Sequence, residues 1–258
     1  MPIITESPSA RGPAKISVDI PSDRIPNTAK RYIAGRQARP DSGYATPIRA
    51  PDGRVLGEVG TGNRKDVRNA VEAAHKALKG WSRATAHNRA QVLYYIAENL
   101  AARADEFARR IADLTGAPDA DARAEVELSI RRLFTWAAWA DKWDGAVHHT
   151  PFRNVTLAMP EPIGVFGVVC PDERPLLGFI STVFPAVAMG NTVVAVPSER
   201  APLAATDLYQ VLDTSDLPAG VLNIVTGPRD AITETLAGHF DGDAVWYFGT
   251  PEGGAAVE

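Results

Sequence analysis

Residues 165–196 read Val-Phe-Gly-Val-Val-Cys170, Pro-Asp-Glu-Arg-Pro175, Leu-Leu-Gly-Phe-Ile-Ser-Thr-Val-Phe-Pro-Ala-Val-Ala-Met189, Gly-Asn-Thr192-Val-Val-Ala-Val196. Two runs of consecutive apolar residues, Val165–Cys170 and Thr192–Val196, flank a helix-like segment, Pro175–Met189. Strands buried on both faces are apolar at successive positions rather than at alternate ones, so this stretch reads as strand, helix, strand. Two further runs, Val221–Val225 and Ala244–Phe248, follow, with helix-like segments Pro202–Leu212 and Ala231–Ala237 between the runs. Strand alternating with helix implies right-handed crossovers and a parallel sheet. The expected fold class is therefore α/β: a parallel sheet flanked by helices, its strands centred near residues 167, 194, 223 and 246.

Upstream of that sheet the periodicity changes. Asn63 is a good N-cap, and Val67, Ala70, Val71, Ala74 and Leu78 form a helical stripe ending at Lys79-Gly80. Apolar residues at helical spacing predict a second helix over about 86–115 and a third over about 121–145. The aromatics of the third (Phe134, Trp136, Trp139, Trp143) read as core. Residues 31–62 suit a small β meander with a turn at Pro51-Asp52-Gly53-Arg54. Residues 1–30 hold five prolines and little periodicity, and read as an extended arm or linker.

Composition narrows the function. Of 258 residues, 27 are Lys or Arg and 31 are Asp or Glu, for a net charge of −4. No cationic surplus exists to neutralise phosphates, so a nucleic-acid partner is not expected. One cysteine forms no internal disulfide, and with five scattered histidines gives no basis for a metal site. No uncharged apolar run approaches about 20 residues, so no membrane span is expected. The N-terminus lacks the apolar core of a signal peptide, and a cytoplasmic protein is expected.

In an open parallel sheet, ligands bind beyond the carboxyl ends of the strands. Those ends are Pro171-Asp172-Glu173-Arg174, Pro197-Ser198-Glu199-Arg200, Thr226-Gly227-Pro228-Arg229 and Gly249-Thr250-Pro251-Glu252. A carboxylate at Glu199 suits the two hydroxyls of an adenosine ribose; the alternative is a solvated surface glutamate. Gly249-Thr250-Pro251 reads as a helix start with Thr250 as N-cap, where free amides hold a phosphate or simply cap the helix. Gly227 opens a loop that is not GxGxxG, because Arg229 and Thr233 stand where further glycines would help. Cys170 reads as a buried structural thiol, and His148-His149 as exposed loop.

Several of these stretches together resemble the N-terminal, NAD-binding half of the aldehyde dehydrogenases. The likeness is carried by Tyr32-Ile33-Ala34-Gly35-Arg36, by Gly60-Thr61-Gly62 with the helix after it, and by Glu161–Pro171. Phe184–Val194 leading into Pro197-Ser198-Glu199, and Leu217–Gly227, complete it. It spans about residues 31–258 in order. The resemblance implies a Rossmann-like NAD(P) sheet and a small β oligomerisation arm, here built from segments near 31–60 and 147–160. It places the cofactor on Pro197, Ser198, Glu199, Gly227, Gly249 and Thr250. Residues 1–30 then form the arm or linker and 31–258 one cofactor domain, with the catalytic domain absent.

The departures from the family pattern carry the functional expectation. The family's Trp-Asn-Phe-Pro is Asp172-Glu173-Arg174-Pro175, so Glu173 stands where an asparagine amide would stabilise an oxyanion. Val196 replaces a lysine beside the ribose, and Arg229 replaces a loop glycine. The family's general-base glutamate and nucleophilic cysteine lie beyond Glu258, and Cys170 matches a strand residue. This pattern resembles the degenerate second unit of two-unit aldehyde dehydrogenases. The expectation is a module inactive alone, with no catalytic residues, NAD binding weak or vestigial, and a structural role with a second copy or a catalytic dehydrogenase unit as partner. The alternatives are the cofactor-binding part of an active NAD-dependent aldehyde dehydrogenase, completed by residues or a chain not present here, and a nucleotide-binding regulatory module.

Overall fold

A computed structural model of the chain describes residues 28–255 and 257. Most of the proline-rich segment expected at 1–30 therefore lies outside the described residues. In chain order the elements are β1 (Thr28–Ala29), β2 (Arg31–Ile33), β3 (Arg36–Ala38), β4 (Ala45–Arg49), β5 (Val55–Gly60), α1 (Arg64–Arg83), α2 (Ala86–Ala102), α3 (Ala104–Thr115) and α4 (Asp119–Ala140). There follow β6 (Ala146–His148), β7 (Thr156–Ala158), β8 (Val165–Val169), α5 (Pro175–Ala188), β9 (Thr192–Val196), α6 (Leu203–Thr206), α7 (Tyr209–Asp213), β10 (Leu222–Ile224), α8 (Arg229–Ala237), β11 (Ala244–Tyr247) and α9 (Pro251–Ala255).

The main sheet has the order β11-β8-β9-β10-β2-β3. The four strands expected from sequence run parallel, with Val165 opposite Thr192, Leu222 opposite Val193 and Ala244 opposite Phe166. β2 adds antiparallel to β10, and β3 to β2. Successive side chains on a strand face opposite sides, and the core divides accordingly. Val165, Val169, Val194, Val196 and Val225 pack with Val67, Val71 and Ala74 of α1 and Ile232 and Leu236 of α8. Phe166, Val168, Val193, Ala195, Leu222 and Ile224 pack on the other side with Phe179, Ile180, Val183 and Val187 of α5 and the helices behind it.

The structure departs from the sequence expectations at several points, each with a local cause. α1 runs through Gly80 because Trp81, 2% exposed, is buried beyond it and donates Nε1 to the Val187 carbonyl at 2.9 Å. That packing outweighs the cost of about 1 kcal/mol for a helical glycine. The long second helix is two helices, broken at Arg103, whose ψ of 15° leaves the helical region. α4 stops at Ala140, so Trp143 lies outside it. Trp139 and Trp143 are not core: they are 47% and 60% exposed and meet each other edge to face, with ring centroids 6.0 Å apart. β11 is an edge strand, so it is only partly buried, unlike β8, β9 and β10.

The segments expected to form one arm lie in three different sheets. β2 and β3 extend the main sheet, β1, β5 and β4 form a three-stranded sheet, and β6 and β7 form a separate antiparallel ribbon. In the ribbon Val155, Leu157 and Met159 are all exposed, and only Thr156 is half buried, because β6 and β7 pair with each other and with no other described strand.

Near the start of the fold sits a buried ion pair. Arg31 Nη1 lies 2.5 Å from Asp66 Oδ1, with side chains 1% and 2% exposed. Arg31 also donates to the Arg39 carbonyl. Asp66 accepts from the amides of Asn63 and Asp41 at 3.0 and 3.2 Å, so one carboxylate caps α1 and fixes the loop after β3. Removing one partner of a buried pair strands the other charge. Arg31→Met should therefore lower the unfolding free energy by about 3–5 kcal/mol, read as a shift of the urea midpoint; a change below about 1 kcal/mol would contradict this role.

Candidate functional site

Because β8, β9, β10 and β11 run parallel, their carboxyl ends share one edge of the sheet, where the candidate residues were expected. One carboxylate oxygen organises that edge. Asp172 Oδ1 accepts from Ser198 Oγ at 2.9 Å, from the Glu199 amide at 3.0 Å and, more weakly, from the Arg200 amide at 3.5 Å. The Arg229 guanidinium donates to the same oxygen at 2.5 Å. Arg229 is the first residue of α8, so this contact joins the loop after β8 to the loop after β9 and to the helix after β10. Burial opposes ionisation of Asp172, but Arg229 and Ser198 outweigh it and hold its carboxyl below the ordinary range.

Other amides of the edge are also taken from within the chain. Leu176 and Leu177, in the first turn of α5, donate to Glu125 Oε1 at 2.9 and 3.2 Å. Glu125 reaches them from α4, and burial pushes its carboxyl up against the pull of both amides. At α9 the Thr250 amide donates to the Tyr247 hydroxyl, and the Gly253 amide to Thr250 Oγ1, each at 3.2 Å. Thr250 is thus the N-cap that the sequence indicates. A β-carbon at Gly249 or Gly253 would collide with the Tyr247 ring, so these glycines admit the chain's own tyrosine.

Asp172, Glu173, Arg174, Arg200, Arg229, Gly249 and Thr250 line a cleft of about 760 Å³, with Glu125 in its wall. A cavity of about 160 Å³ between α8 and α9 is lined by three acids, Asp230, Glu234 and Glu252, together with Thr233 and Gly253. A larger cleft of about 990 Å³ lies against the first turns of α1 and α8 and includes none of the six candidate residues.

The structure brings Ser198, Gly249 and Thr250 to one edge, but it gives the six candidates different surroundings. Pro197 and Ser198 are buried. The Glu199 side chain is exposed and has no hydrogen bond or ion pair among the described residues. Gly227, at φ 150°, is held for packing: a β-carbon there would sit 2.9 Å from the Gly62 amide nitrogen. Sequence reading passed over Asp172, Glu125 and Tyr247 as members of the site, and treated Arg229 only as a missing glycine. The usable signal was an acid after one strand and a base after another, in loops that a parallel sheet sets side by side.

Cys170 is fully buried, 3.5 Å from the Thr182 hydroxyl, and burial pushes its thiol up to about 12. Among the described residues no group of three or more His, Cys, Asp or Glu side chains is placed to hold a metal ion. No described helix is long and apolar enough to cross a membrane.

A sequence model described as the Aldehyde dehydrogenase family matches residues 39–258. The mitochondrial benzaldehyde dehydrogenase of Antirrhinum majus is 32% identical over 249 residues, 95% of this chain and 46% of that protein. The 2-hydroxymuconic semialdehyde dehydrogenase of Pseudomonas putida is 34% identical over 238 residues, 88% of this chain and 49% of that protein. A crystal structure of an NAD-dependent aldehyde dehydrogenase from Sinorhizobium meliloti superposes with a TM-score of 0.87 at 28% identity, covering 93% of this chain and 50% of that one. The chain spans about half the length of the relatives it matches.

Two outcomes follow from the edge geometry. Asp172→Asn leaves the Arg229 charge buried without its counter-ion and should cost about 3 kcal/mol near neutral pH, measured by urea unfolding. Because the folded carboxyl titrates below its ordinary value, the wild-type advantage is complete above the unfolded pKa of about 3.9 and is lost as the pH falls below it. Cys170 should resist iodoacetamide at about pH 8 in the folded chain and react in urea, since the thiolate is the nucleophile; rapid labelling of the folded chain would contradict its burial.

Proposed function

The chain belongs to the aldehyde dehydrogenase family, and on that premise we propose that residues 31–258 form a cofactor-domain module that holds NAD weakly or vestigially and serves assembly rather than chemistry. The observation that carries this reading is the capture of Ser198, Glu199, Arg200 and Arg229 donors by Asp172. A dinucleotide would have to displace an internal ligand that is already paired and tethered. Glu173 adds to it, because a carboxylate in place of an amide donor repels developing negative charge. The three acids between α8 and α9 add repulsion toward phosphate. The sole cysteine, Cys170, has a thiol whose burial disfavours the thiolate. A buried, unpaired thiol also suits a reducing, cytoplasmic setting.

The assembly half of the proposal rests on the β6–β7 ribbon. Its outer edges are unpaired among the described residues, and it exposes Val147, Val155, Leu157 and Met159. Unprotected edges of this kind invite strand addition. The partner is a second copy or a catalytic dehydrogenase unit, with residues 1–30 as the arm or linker.

A second reading keeps one observation in its favour. Glu199 presents a free, exposed carboxylate at the end of β9, where a ribose would be held in the cofactor-binding part of an active NAD-dependent enzyme. The cofactor class then follows the NAD-dependent relative from Sinorhizobium meliloti, and Glu199 would repel a 2′-phosphate and favour NAD over NADP.

Calorimetric titration of the full chain separates the two readings. The module reading expects no saturation at millimolar NAD, whereas micromolar binding of NAD or NADP would overturn it. Leu157→Pro, which removes a ladder donor, should lower the mass measured by light scattering while leaving the thermal transition of the main sheet in place. A wild-type chain that stays monomeric at high concentration and ignores a co-expressed dehydrogenase would contradict the assembly role.

A further inference from the structure

We propose that the edge between β8, β9 and α8 is a built oxyanion-binding nest whose resident occupant is the chain's own Asp172, and that the nest takes a small carboxylate or phosphate once that side chain is removed. The inference rests on the reading of the crevice as filled from within, and extends it by naming the chemistry of what fills it. The donors are one hydroxyl (Ser198 Oγ), two successive backbone amides (Glu199 and Arg200) and one guanidinium (Arg229), all directed at a single oxygen. Successive amides with a hydroxyl and an arginine are the donor set that recognises carboxylate and phosphate oxygens.

A second observation points the same way. Arg229 is 6% exposed, yet its Nε has no hydrogen-bond partner. The guanidinium offers a fork of donors suited to a two-oxygen ligand, but the described contacts to Asp172 all fall on Oδ1, and none is made to Nε. The tethered carboxylate therefore satisfies the nest incompletely. Ser198 supports the geometry from the other side: its Oγ both donates to Asp172 and accepts the Ala201 amide at 3.1 Å, which fixes the loop. One bond that holds the loop after β9 therefore does not depend on Asp172.

The test compares wild type, Asp172→Ala and Asp172→Ala/Arg229→Met, each as the full chain, in chloride, acetate and inorganic phosphate at matched ionic strength. Thermal unfolding and calorimetry are the readouts. Asp172→Ala is expected to bind acetate or phosphate at least about tenfold more tightly than wild type, the equilibrium equivalent of one charge-assisted hydrogen bond, and to regain part of its lost thermal stability. The double variant should lose both effects. A response to acetate alone assigns the nest to carboxylates, and a response to phosphate assigns it to phosphate groups; either supports the proposal. If Asp172→Ala folds only when acetate or phosphate is present, that also supports it. A folded Asp172→Ala that binds neither anion better than wild type overturns it, as does a variant that fails to fold under all three conditions. The NAD titration of wild type tests the underlying reading separately, so failure of one is not failure of the other.

Discussion

Four donors, three from the loop after β9 and one from α8, converge on Oδ1 of Asp172, and the form of the sheet's carboxyl edge follows from that convergence. A carboxylate placed there loses hydration, which is costly unless opposite charge and hydrogen bonds replace it. Arg229 supplies the charge, and Ser198 with the amides of Glu199 and Arg200 supplies the hydrogen bonds. The dependence is mutual, because an arginine side chain only 7% exposed needs its anion as much as the anion needs it. The pair fastens the loop after β8 to the loop after β9 and to the start of α8, three places where a parallel sheet of this kind ordinarily leaves room for a ligand.

The same principle recurs around the edge. Glu125 takes the first amides of α5, and the Tyr247 hydroxyl takes the amide of Thr250, the residue that caps α9. Helix N-termini in this position are ready anion sites; at α5 a neighbouring side chain occupies the first amides, while α8 has no side-chain cap. The resemblance to the aldehyde dehydrogenases and the family membership give the scaffold, while these side chains give the scaffold's edge its character. Family membership alone therefore does not carry cofactor binding, because fold and site are separable.

Much of the fold was legible in the sequence. The runs at Val165–Val169 and Thr192–Val196 are buried on both faces, so their apolar continuity is a direct imprint of position. The caps at Asn63 and Thr250 were legible because a cap is local, made within three residues. What was not legible depended on distant partners. Gly80 looks like a helix stop until Trp81 is seen to reach Val187, 106 residues away. Trp139 and Trp143 look like core until α4 ends at Ala140. Asp172 and Arg229 stand 57 residues apart, and only the strand order places their loops together. Glycines at 227 and 249 suggested room for a ligand, but the close neighbours are Gly62 and Tyr247 of the same chain.

The central claim is that the crevice is held by the chain's own side chains. A crystal structure of the full chain grown with saturating NAD tests it most directly. The account predicts the Asp172–Arg229 contact intact, Ser198 and the Glu199 amide still on Asp172, and no ordered dinucleotide at the strand ends. An ordered NAD with its ribose on Glu199 and the Asp172 carboxylate swung away from Arg229 would contradict it.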